Sequence, residues 1–402
     1  MPSMPTAPQN EIDLSEQLKT KIIQSIHSNQ GWISFDRFME FALYDLELGY
    51  YTGTSRKFGE KGDFVTASEI SNFFAKTLCI QFKEIFQSIS RSIIEIGAGS
   101  GQFALQVIQS LSSDNENINH YLILEISPSL RKQQYELLIE HLPSHLFSKI
   151  QWIDEIPREY EGIIFCNELL DALPVDLIKK ESNMYYQKGI GIENDVLIWK
   201  DRAIKDISNY DEIDLKNLPD NYLAEYPLHI KNWLNKISQS LSKGIVFIID
   251  YGFNHTEYFH EQRSQGTLMC HFKHYAHDNP LIHLGIQDIT THVNFSYVAK
   301  EASKLGLNIT GFISQANFLI NCGILNLLEK INLEDRALYM KSVSEIQKLL
   351  SPSEMGDLFK VMTLEKNIDI DLLGFKQNNR VTKLLWIKIM KILRSGLLEV
   401  IF

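Results

Sequence analysis

The sequence has few cysteines and no long hydrophobic run, and each scarcity excludes a class of protein. Four cysteines occur in 402 residues, far apart and without a C-x-x-C pair. This usage is typical of a reducing compartment and argues against a disulfide framework. No uncharged apolar run approaches the roughly 20 residues that a membrane-spanning helix needs, and residues 1–10 resemble neither a signal nor a transit peptide. We therefore predict a cytoplasmic protein without a transmembrane segment.

Basic residues are in the minority as well. Lys and Arg number 39 against 50 Asp and Glu, which gives a formal net charge of -11. A general nucleic-acid binder would carry a basic surface, so we predict no nucleic-acid partner. The acidic balance is compatible with a cationic protein substrate, although many cytosolic proteins share it.

Hydrophobic spacing divides the chain into four predicted parts. Residues 11–90 show helical spacing and include a loop at 49–66, rich in glycine, charge and aromatics, that would cover a ligand. Residues 91–300 alternate apolar runs with helical patterns, which predicts an α/β fold with a Rossmann-like, doubly wound sheet and insertions. Residues 301–380 are predicted to be mainly helical, and residues 381–402 form a basic amphipathic tail. We expect the tail to dock as a terminal helix, with contact to a membrane surface as the alternative.

More local predictions fall within these parts. The sequence predicts a hairpin at residues 184–200 and one short strand at residues 308–313. The region 266–295 is predicted to be mostly loop. Cys270 and the histidines at positions 271, 274, 277 and 283 lie close together in it, but they lack the tight pairing of a zinc site, so we predict no metal.

A glycine-rich turn after the first predicted strand, between Ile93 and Gly101, is the strongest functional signal. An apolar run there leads through Glu95 into three glycines, and helical spacing begins at Gln102. Strand, glycine turn and helix in this order form a nucleotide-binding element, because glycine lets the backbone approach a ligand closely. Residues 99–104 match the G-x-G-x-x-A pattern of nicotinamide sites, whereas Glu95 begins the E-x-G-x-G-x-G arrangement of S-adenosylmethionine sites. The second cofactor is favoured, since its ammonium group would pair with a carboxylate at Glu95.

Carboxylates also follow the second and third predicted strands. Glu125 lies 24 residues after Gly101, where a carboxylate accepts hydrogen bonds from the ribose hydroxyls of either cofactor. Asp154 ends the third strand and would face the adenine amine. Glu125 therefore supports a nucleotide site without choosing between the two cofactors.

The fourth predicted strand leads into Asn167, Glu168 and Asp171, which would lie beside the reactive end of the cofactor. Hydride transfer normally needs a proton donor such as His or Tyr near the carbonyl, and this segment offers none. Carboxylates suit a cationic acceptor, since an arginine guanidinium stays protonated and is bound by bidentate carboxylate pairing. We therefore predict that these three residues form the catalytic site for transfer to an arginine.

These motifs together resemble those of the MidA-like class I methyltransferases. That family includes the mitochondrial arginine methyltransferase that assists assembly of respiratory complex I, and its bacterial relatives. The resemblance rests on the charged loop 58–66, the glycine turn 95–101 and residues 167–175. It implies S-adenosylmethionine as the cofactor, with the loop lying over it and residues 168 and 171 bordering the acceptor. The complete predicted cofactor-binding set is Glu95, Gly97, Ala98, Gly99, Gly101, Glu125, Asp154, Asp63, Phe64 and Thr66.

The resemblance implies a protein arginine N-methyltransferase whose substrate is a partner protein similar to a subunit of respiratory complex I. Ala98 and Ser100 stand where the mitochondrial branch tends to have proline and arginine. With no transit peptide, the chain resembles the bacterial branch. Two alternatives remain: an assembly factor or scaffold that binds the cofactor with little catalysis, and a nicotinamide-dependent oxidoreductase.

Overall fold

The computed structural model of the protein describes residues 4–53, 66–114, 117–207, 210, 215 and 218–384. The helices in these residues are α1 (Gln9–Ser28), α2 (Phe35–Tyr44), α3 (Ala67–Ile70), α4 (Asn72–Ile85), α5 (Gln102–Ser113), α6 (Pro128–His141), α7 (Ser144–Phe147), α8 (Leu228–Ser240), α9 (His255–Tyr258), α10 (Phe295–Lys304), α11 (Gln315–Asn321), α12 (Ile324–Glu329) and α13 (Arg336–Leu350). The strands are β1 (Ile33–Ser34), β2 (Ser92–Ile96), β3 (His120–Leu124), β4 (Ile150–Ile153), β5 (Tyr160–Asn167), β6 (Asp176–Glu181), β7 (Met184–Glu193), β8 (Val196–Ala203), β9 (Tyr222–Tyr226), β10 (Leu241–Phe253), β11 (Met269–Phe272), β12 (Tyr275–His277), β13 (Asp288–Thr290), β14 (Val293–Asn294), β15 (Asn308–Ser314) and β16 (Phe359–Lys366). None of these helices is long and apolar enough to span a bilayer.

The central sheet has the strand order β15-β16-β10-β5-β2-β3-β4. The pairs from β10 to β4 are parallel, whereas β16 runs antiparallel to both of its neighbours. Parallel pairs need crossover connections, which α5, α6 and α8 supply. The sheet confirms the predicted Rossmann-like, doubly wound fold. From β2 the chain first adds β3 and β4 on one side of the sheet and then β5 and β10 on the other. Ligands of such sheets bind at the point where the direction of strand addition reverses.

Helices cover both faces of this sheet. In β2, Ile93 packs in one core with residues of α4 and α5, whereas Ile94 packs in a second core with residues of α8 and α10. The same alternation holds for Ile163 and Ile164 in β5, because successive strand side chains point to opposite faces. Burial on both faces explains why these strands are continuous apolar runs in the sequence.

A second sheet joins the N-terminal segment to the insertion that follows β5. Its order is β1-β7-β6-β9, with β8 paired to β7, so the predicted hairpin is present as β7 and β8. The pairing of Ile33 with Ile190 ties the start of α2 to this sheet. Phe35 and Phe38 of α2 pack against Leu177 and Ile190 in a third core. This packing places α2 beside the connection between β5 and β6.

Two regions differ from the predictions made from sequence. The segment 266–295, predicted to be mostly loop, contains the antiparallel sheet β12-β11-β13. Its strands have only three or four residues, too few for an alternating pattern to be recognised. The part predicted to be mainly helical contributes two strands to the central sheet, of which β15 was expected and β16 was not. Lys360, Thr363 and Glu365 interrupt the apolar run of β16, although all three are buried.

Candidate active site

The turn between β2 and α5 brings bare backbone to the carboxyl edge of the central sheet. Gly97, Gly99 and Gly101 have φ angles of +73°, +53° and +84°, in the left-handed region that glycine adopts without steric cost. A Cβ atom at Gly97 would lie 3.1 Å from Cδ1 of Leu169. A side chain at Gly97 would therefore press against Leu169, which lines the cavity beside the turn.

A cavity of about 700 Å³ lies beside this turn. Its volume is within the range of small-molecule sites in proteins, and it lies where the strand order reverses. The predicted site residues that line it are Glu95, Gly97, Ala98, Gly99, Glu125, Thr66, Asn167 and Glu168. The structure thus brings the predicted cofactor turn and two of the three predicted acceptor residues together around one space.

Glu95 lines the cavity from β2 and is 4% exposed. The hydroxyl of Tyr121 donates a hydrogen bond to its Oε2 at 2.7 Å. Burial raises the pKa of Glu95 to about 8, and the nearby charge of Glu125 adds to the increase. A cationic ligand group beside Glu95 would favour the ionised carboxylate.

Glu125 follows β3 directly, at the predicted place, and is buried. The N–H of Ser127 donates to its Oε1 at 3.0 Å, and Nε2 of Gln134 donates to its Oε2 at 3.1 Å. Gln134 also donates to the carbonyl of Gly99 at 2.9 Å, so one amide links the carboxylate to the glycine turn. Burial raises the pKa of Glu125 above its usual value. A carboxylate held in this way can accept hydrogen bonds from the two hydroxyls of a ribose.

Asn167 and Glu168 line the cavity at the end of β5. Nδ2 of Asn167 donates to Oε1 of Glu168 at 2.8 Å, while Oδ1 of Asn167 is buried and has no hydrogen-bond partner among the described residues. Burial, together with the charge of Asp171, raises the pKa of Glu168 to about 8. Glu168 also has a φ of +52°, and non-glycine residues in this strained region cluster at functional sites. An acceptor oxygen next to a carboxyl group suits a ligand with several N–H donors.

Asp171 does not line the cavity and lies behind its wall, 4% exposed. Its carboxylate accepts a hydrogen bond from the hydroxyl of Tyr251, and burial raises its pKa to about 6. Asp250, to which the sequence pattern assigns no role, organises the turn that carries Asp171. Its Oδ2 accepts the backbone N–H groups of residues 169, 170 and 171 at distances between 2.9 and 3.3 Å. Asp171 can therefore influence the cavity through its charge, and Asp250 through the backbone.

The remaining predicted cofactor residues are placed differently. Gly101 ends the turn as the N-cap of α5 and is not among the cavity-lining residues. Asp154 follows β4 with an 89% exposed side chain, and its Oδ1 lies 2.6 Å from Nη2 of Arg131. It is not among the cavity-lining residues, so its contact with adenine stays a prediction. Asp63 and Phe64 lie outside the described residues. The described part of the chain contains no group of three or more acidic, histidine or cysteine side chains that could hold a metal ion.

Part of the lining comes from residues that sequence reasoning did not single out. These are Arg37, Glu40, Phe41, Tyr44, Tyr51, His229 and Trp233. Most belong to α2, which packs on the second sheet, or to α8, which packs on the central sheet. Within α2 these residues have the spacing of an ordinary helix face of mixed polar and aromatic character, which does not indicate a site. The sequence feature that could have indicated part of this lining is the pair of tyrosines at positions 50 and 51, directly after Gly49.

This lining fits S-adenosylmethionine, which combines a nucleoside with an amino acid and has no phosphate. Glu95 can bind the ammonium group, Glu125 can bind the ribose hydroxyls, and Gly97 and Gly99 bring bare backbone to the wall of the cavity. A dinucleotide would instead need free helix N-terminal amides for its pyrophosphate. The two buried carboxylates beside the turn suit the first ligand better.

Comparisons with known proteins agree with this fit. Residues 77–313, more than half of the chain, match the family described as "Putative S-adenosyl-L-methionine-dependent methyltransferase". A crystal structure of a protein from Burkholderia thailandensis bound to S-adenosyl-homocysteine is 35% identical in sequence and has a TM-score of 0.91. The match covers 94% of this chain and 100% of that one.

Two curated relatives are more distant but similar over most of their length. "Protein arginine methyltransferase NDUFAF7, mitochondrial" of Danio rerio is 25% identical over 381 residues, 87% of this chain and 86% of its own. The protein of the same name from Homo sapiens is 26% identical over 386 residues, 88% of this chain and 84% of its own. The fold, the lining of the cavity and these matches lead to one conclusion: the chain belongs to this family of S-adenosylmethionine-dependent methyltransferases, and S-adenosylmethionine is its cofactor.

Proposed function

We propose that the protein methylates an arginine side chain of a partner protein. The observation that carries the proposal is the hydrogen bond from Nδ2 of Asn167 to Glu168 at the end of β5, which leaves Oδ1 of Asn167 without a partner among the described residues. Together they offer a carboxyl group and a carbonyl oxygen to one ligand, and a guanidinium presents five N–H donors in a fixed plane. Two relatives that are named protein arginine methyltransferases support the same acceptor.

In this reaction the residues at the end of β5 would hold the guanidinium, orient one of its nitrogens and accept the released proton. When bound, S-adenosylmethionine supplies an electrophilic methyl group on a sulfonium and leaves as the neutral thioether S-adenosylhomocysteine. Glu168 and Asn167 hold the guanidinium and orient one nitrogen, which is largely a positioning task. The methylated nitrogen must release one proton, and the carboxylate of Glu168 is the group next to it that can accept that proton.

The high pKa of Glu168 is consistent with this role. In the protein without ligands, burial and the charge of Asp171 favour the neutral carboxyl form. A guanidinium supplies the missing positive charge and returns Glu168 to the ionised form. A carboxyl group whose pKa lies near the working pH can both bind a cation and take up a proton.

Label transfer tests the proposal. The purified protein and methyl-tritiated S-adenosylmethionine are added to an extract of cells that lack the protein, and labelled bands are analysed by mass spectrometry. We expect methylarginine in a discrete protein band. The Glu168→Gln variant should bind S-adenosylhomocysteine within a few-fold of the wild type and transfer no label. Label on another residue type would contradict the arginine acceptor, and no label with intact cofactor binding would favour a scaffold.

A further inference from the structure

Two tyrosines that line the cavity form a stacked aromatic pair close to the acceptor residues. The ring centroids of Tyr44 and Tyr51 are 5.6 Å apart with an interplanar angle of 21°, and both side chains are half-buried. The ring of Tyr50 packs edge-on against Tyr51, with centroids 5.1 Å apart. Tyr50 itself is 1% exposed, so the stacked pair rests on a fixed neighbour.

Hydrogen bonds fix both phenol groups beside the acceptor turn. The hydroxyl of Tyr44 donates to the carbonyl of Ala172 at 3.0 Å, and Ala172 directly follows Asp171. The hydroxyl of Tyr51 donates to Oδ1 of Asp288 at 2.9 Å. With the hydroxyl groups bound to protein acceptors and the two rings stacked on each other, the outward face of the stacked pair remains as the surface that a ligand can contact.

The electrostatic environment of the pair favours a cation. Burial and the charges of Asp288 and Asp171 raise the pKa of both tyrosines well above the usual value, so both rings stay neutral phenols. Glu168 also lines the cavity, and Asp288 contributes to its raised pKa. A planar cation over a tyrosine face is attracted by the ring quadrupole, and guanidinium stacks there because it is flat and weakly hydrated.

We propose that the stacked rings of Tyr44 and Tyr51, backed by Asp288, form the wall that selects a guanidinium over an ammonium at the acceptor end of the cavity. The inference rests on the proposed arginine acceptor and names the residues that recognise its flat face. Glu168 and Asn167 accept hydrogen bonds from the N–H edge of the group, and the tyrosines contact its plane. A lysine ammonium has no plane to stack, so it gains less from this wall.

Binding to the protein saturated with S-adenosylhomocysteine tests the wall without requiring transfer. The probe is N-acetyl-arginine amide, followed by NMR titration, with N-acetyl-lysine amide and N-acetyl-citrulline amide as comparisons. We expect the arginine probe to bind most tightly in the wild type. Tyr44→Leu and Tyr51→Leu should each weaken it by about tenfold and reduce its preference over lysine. Tyr44→Phe and Tyr51→Phe keep the rings and should stay within about twofold of the wild type.

Cofactor affinity tests whether the tyrosines contact the acceptor or instead the positively charged sulfonium of S-adenosylmethionine. S-adenosylmethionine and S-adenosylhomocysteine should keep their affinity ratio in the Leu variants, and a selective loss for the charged cofactor would overturn the inference. Arginine binding that is unchanged in both Leu variants would overturn the wall while leaving the arginine acceptor intact. No arginine binding to the wild type would overturn both. If the Leu variants do not fold, ring signals of Tyr44 and Tyr51 in the labelled wild type must shift on titration with the arginine probe.

Discussion

The ionisation of Glu168 gives the sharpest prediction about the acceptor site. The pKa of Glu168 is raised to about 8 by burial and the charge of Asp171, whereas an arginine side chain stays protonated throughout the physiological range. The carboxyl group must therefore lose its proton before it can pair with the guanidinium. We expect acceptor binding to become stronger as the pH rises and to release a proton.

The size of the effect follows from the fraction of ionised Glu168. With a pKa of about 8, this fraction is roughly 10% at pH 7 and roughly 90% at pH 9, so the apparent affinity for an arginine ligand should rise about tenfold. The pKa of Asp171, about 6, lies below this window. The measurement is the dissociation constant of N-acetyl-arginine amide at half-unit pH steps, with S-adenosylhomocysteine bound. The neutral thioether of that ligand adds no charge at the reactive end.

A matched variant shows whether Glu168 causes the change. Glu168→Gln should bind the arginine ligand weakly, with an affinity that does not depend on pH between 7 and 9. Calorimetry in two buffers of different ionisation enthalpy should show close to one proton released per arginine bound by the wild type at pH 7, and none by the variant. A wild-type affinity that is flat over this range, or an equal pH dependence in the variant, would refute the reasoning.

Two further predictions concern the residues that build the site. Asp250→Ala leaves three backbone N–H groups of the acceptor turn without their acceptor and should lower the free energy of unfolding by about 2 kcal/mol or more. Asp250→Asn keeps an acceptor oxygen and should recover most of that loss, while Asp154→Ala, at an exposed position, should stay within about 0.5 kcal/mol of the wild type in chemical denaturation. For Glu95, whose pKa is raised to about 8, the stabilising protonated form is fully present below the unfolded-state pKa and is lost as the pH rises to about 8. Glu95→Gln should remove the contribution of Glu95 to this pH dependence, exceed the wild type by about 3 kcal/mol at pH 7, and bind S-adenosylhomocysteine at least tenfold more weakly in calorimetry. A Glu95→Gln protein that loses as much stability as the wild type between about pH 5 and pH 8 would contradict this account.

The central sheet and its ligand edge could be predicted because their signals are local. β2, β3 and β5 are largely apolar runs, so the positions of Glu125 directly after β3 and of Asn167 at the end of β5 follow from the sequence. The glycine turn is equally local, since each positive φ is borne by a glycine. For these elements, neighbouring residues along the chain supply both the conformation and the chemistry.

The rest of the site depends on contacts between distant segments. Tyr44 reaches the cavity because α2 packs on the second sheet, and the pairing of Ile33 with Ile190 links positions far apart in sequence. Asp250 acts on the turn after β5 because β10 lies beside β5, with Ile249 opposite Asn167. The hydrophobic periodicity of these segments does not indicate which distant strands pair or which residues lie opposite each other. The local pattern could not show that Asp171 would be buried behind the wall while Glu168 faces the cavity.

The acidic groups of the site explain why cationic ligands should stabilise it. Glu95, Glu125, Glu168 and Asp171 all have raised pKa values, chiefly through burial, and neighbouring carboxylates add to the rise for Glu95 and Glu168. Each shift means that the ionised form is unfavourable in the protein without ligands. An ammonium group beside Glu95 and a guanidinium beside Glu168 would each favour an ionised carboxylate. Two cations bound in one cavity therefore need not repel strongly, because each is neutralised by its own carboxylate, and methyl transfer between positively charged reactants becomes possible in a small buried space.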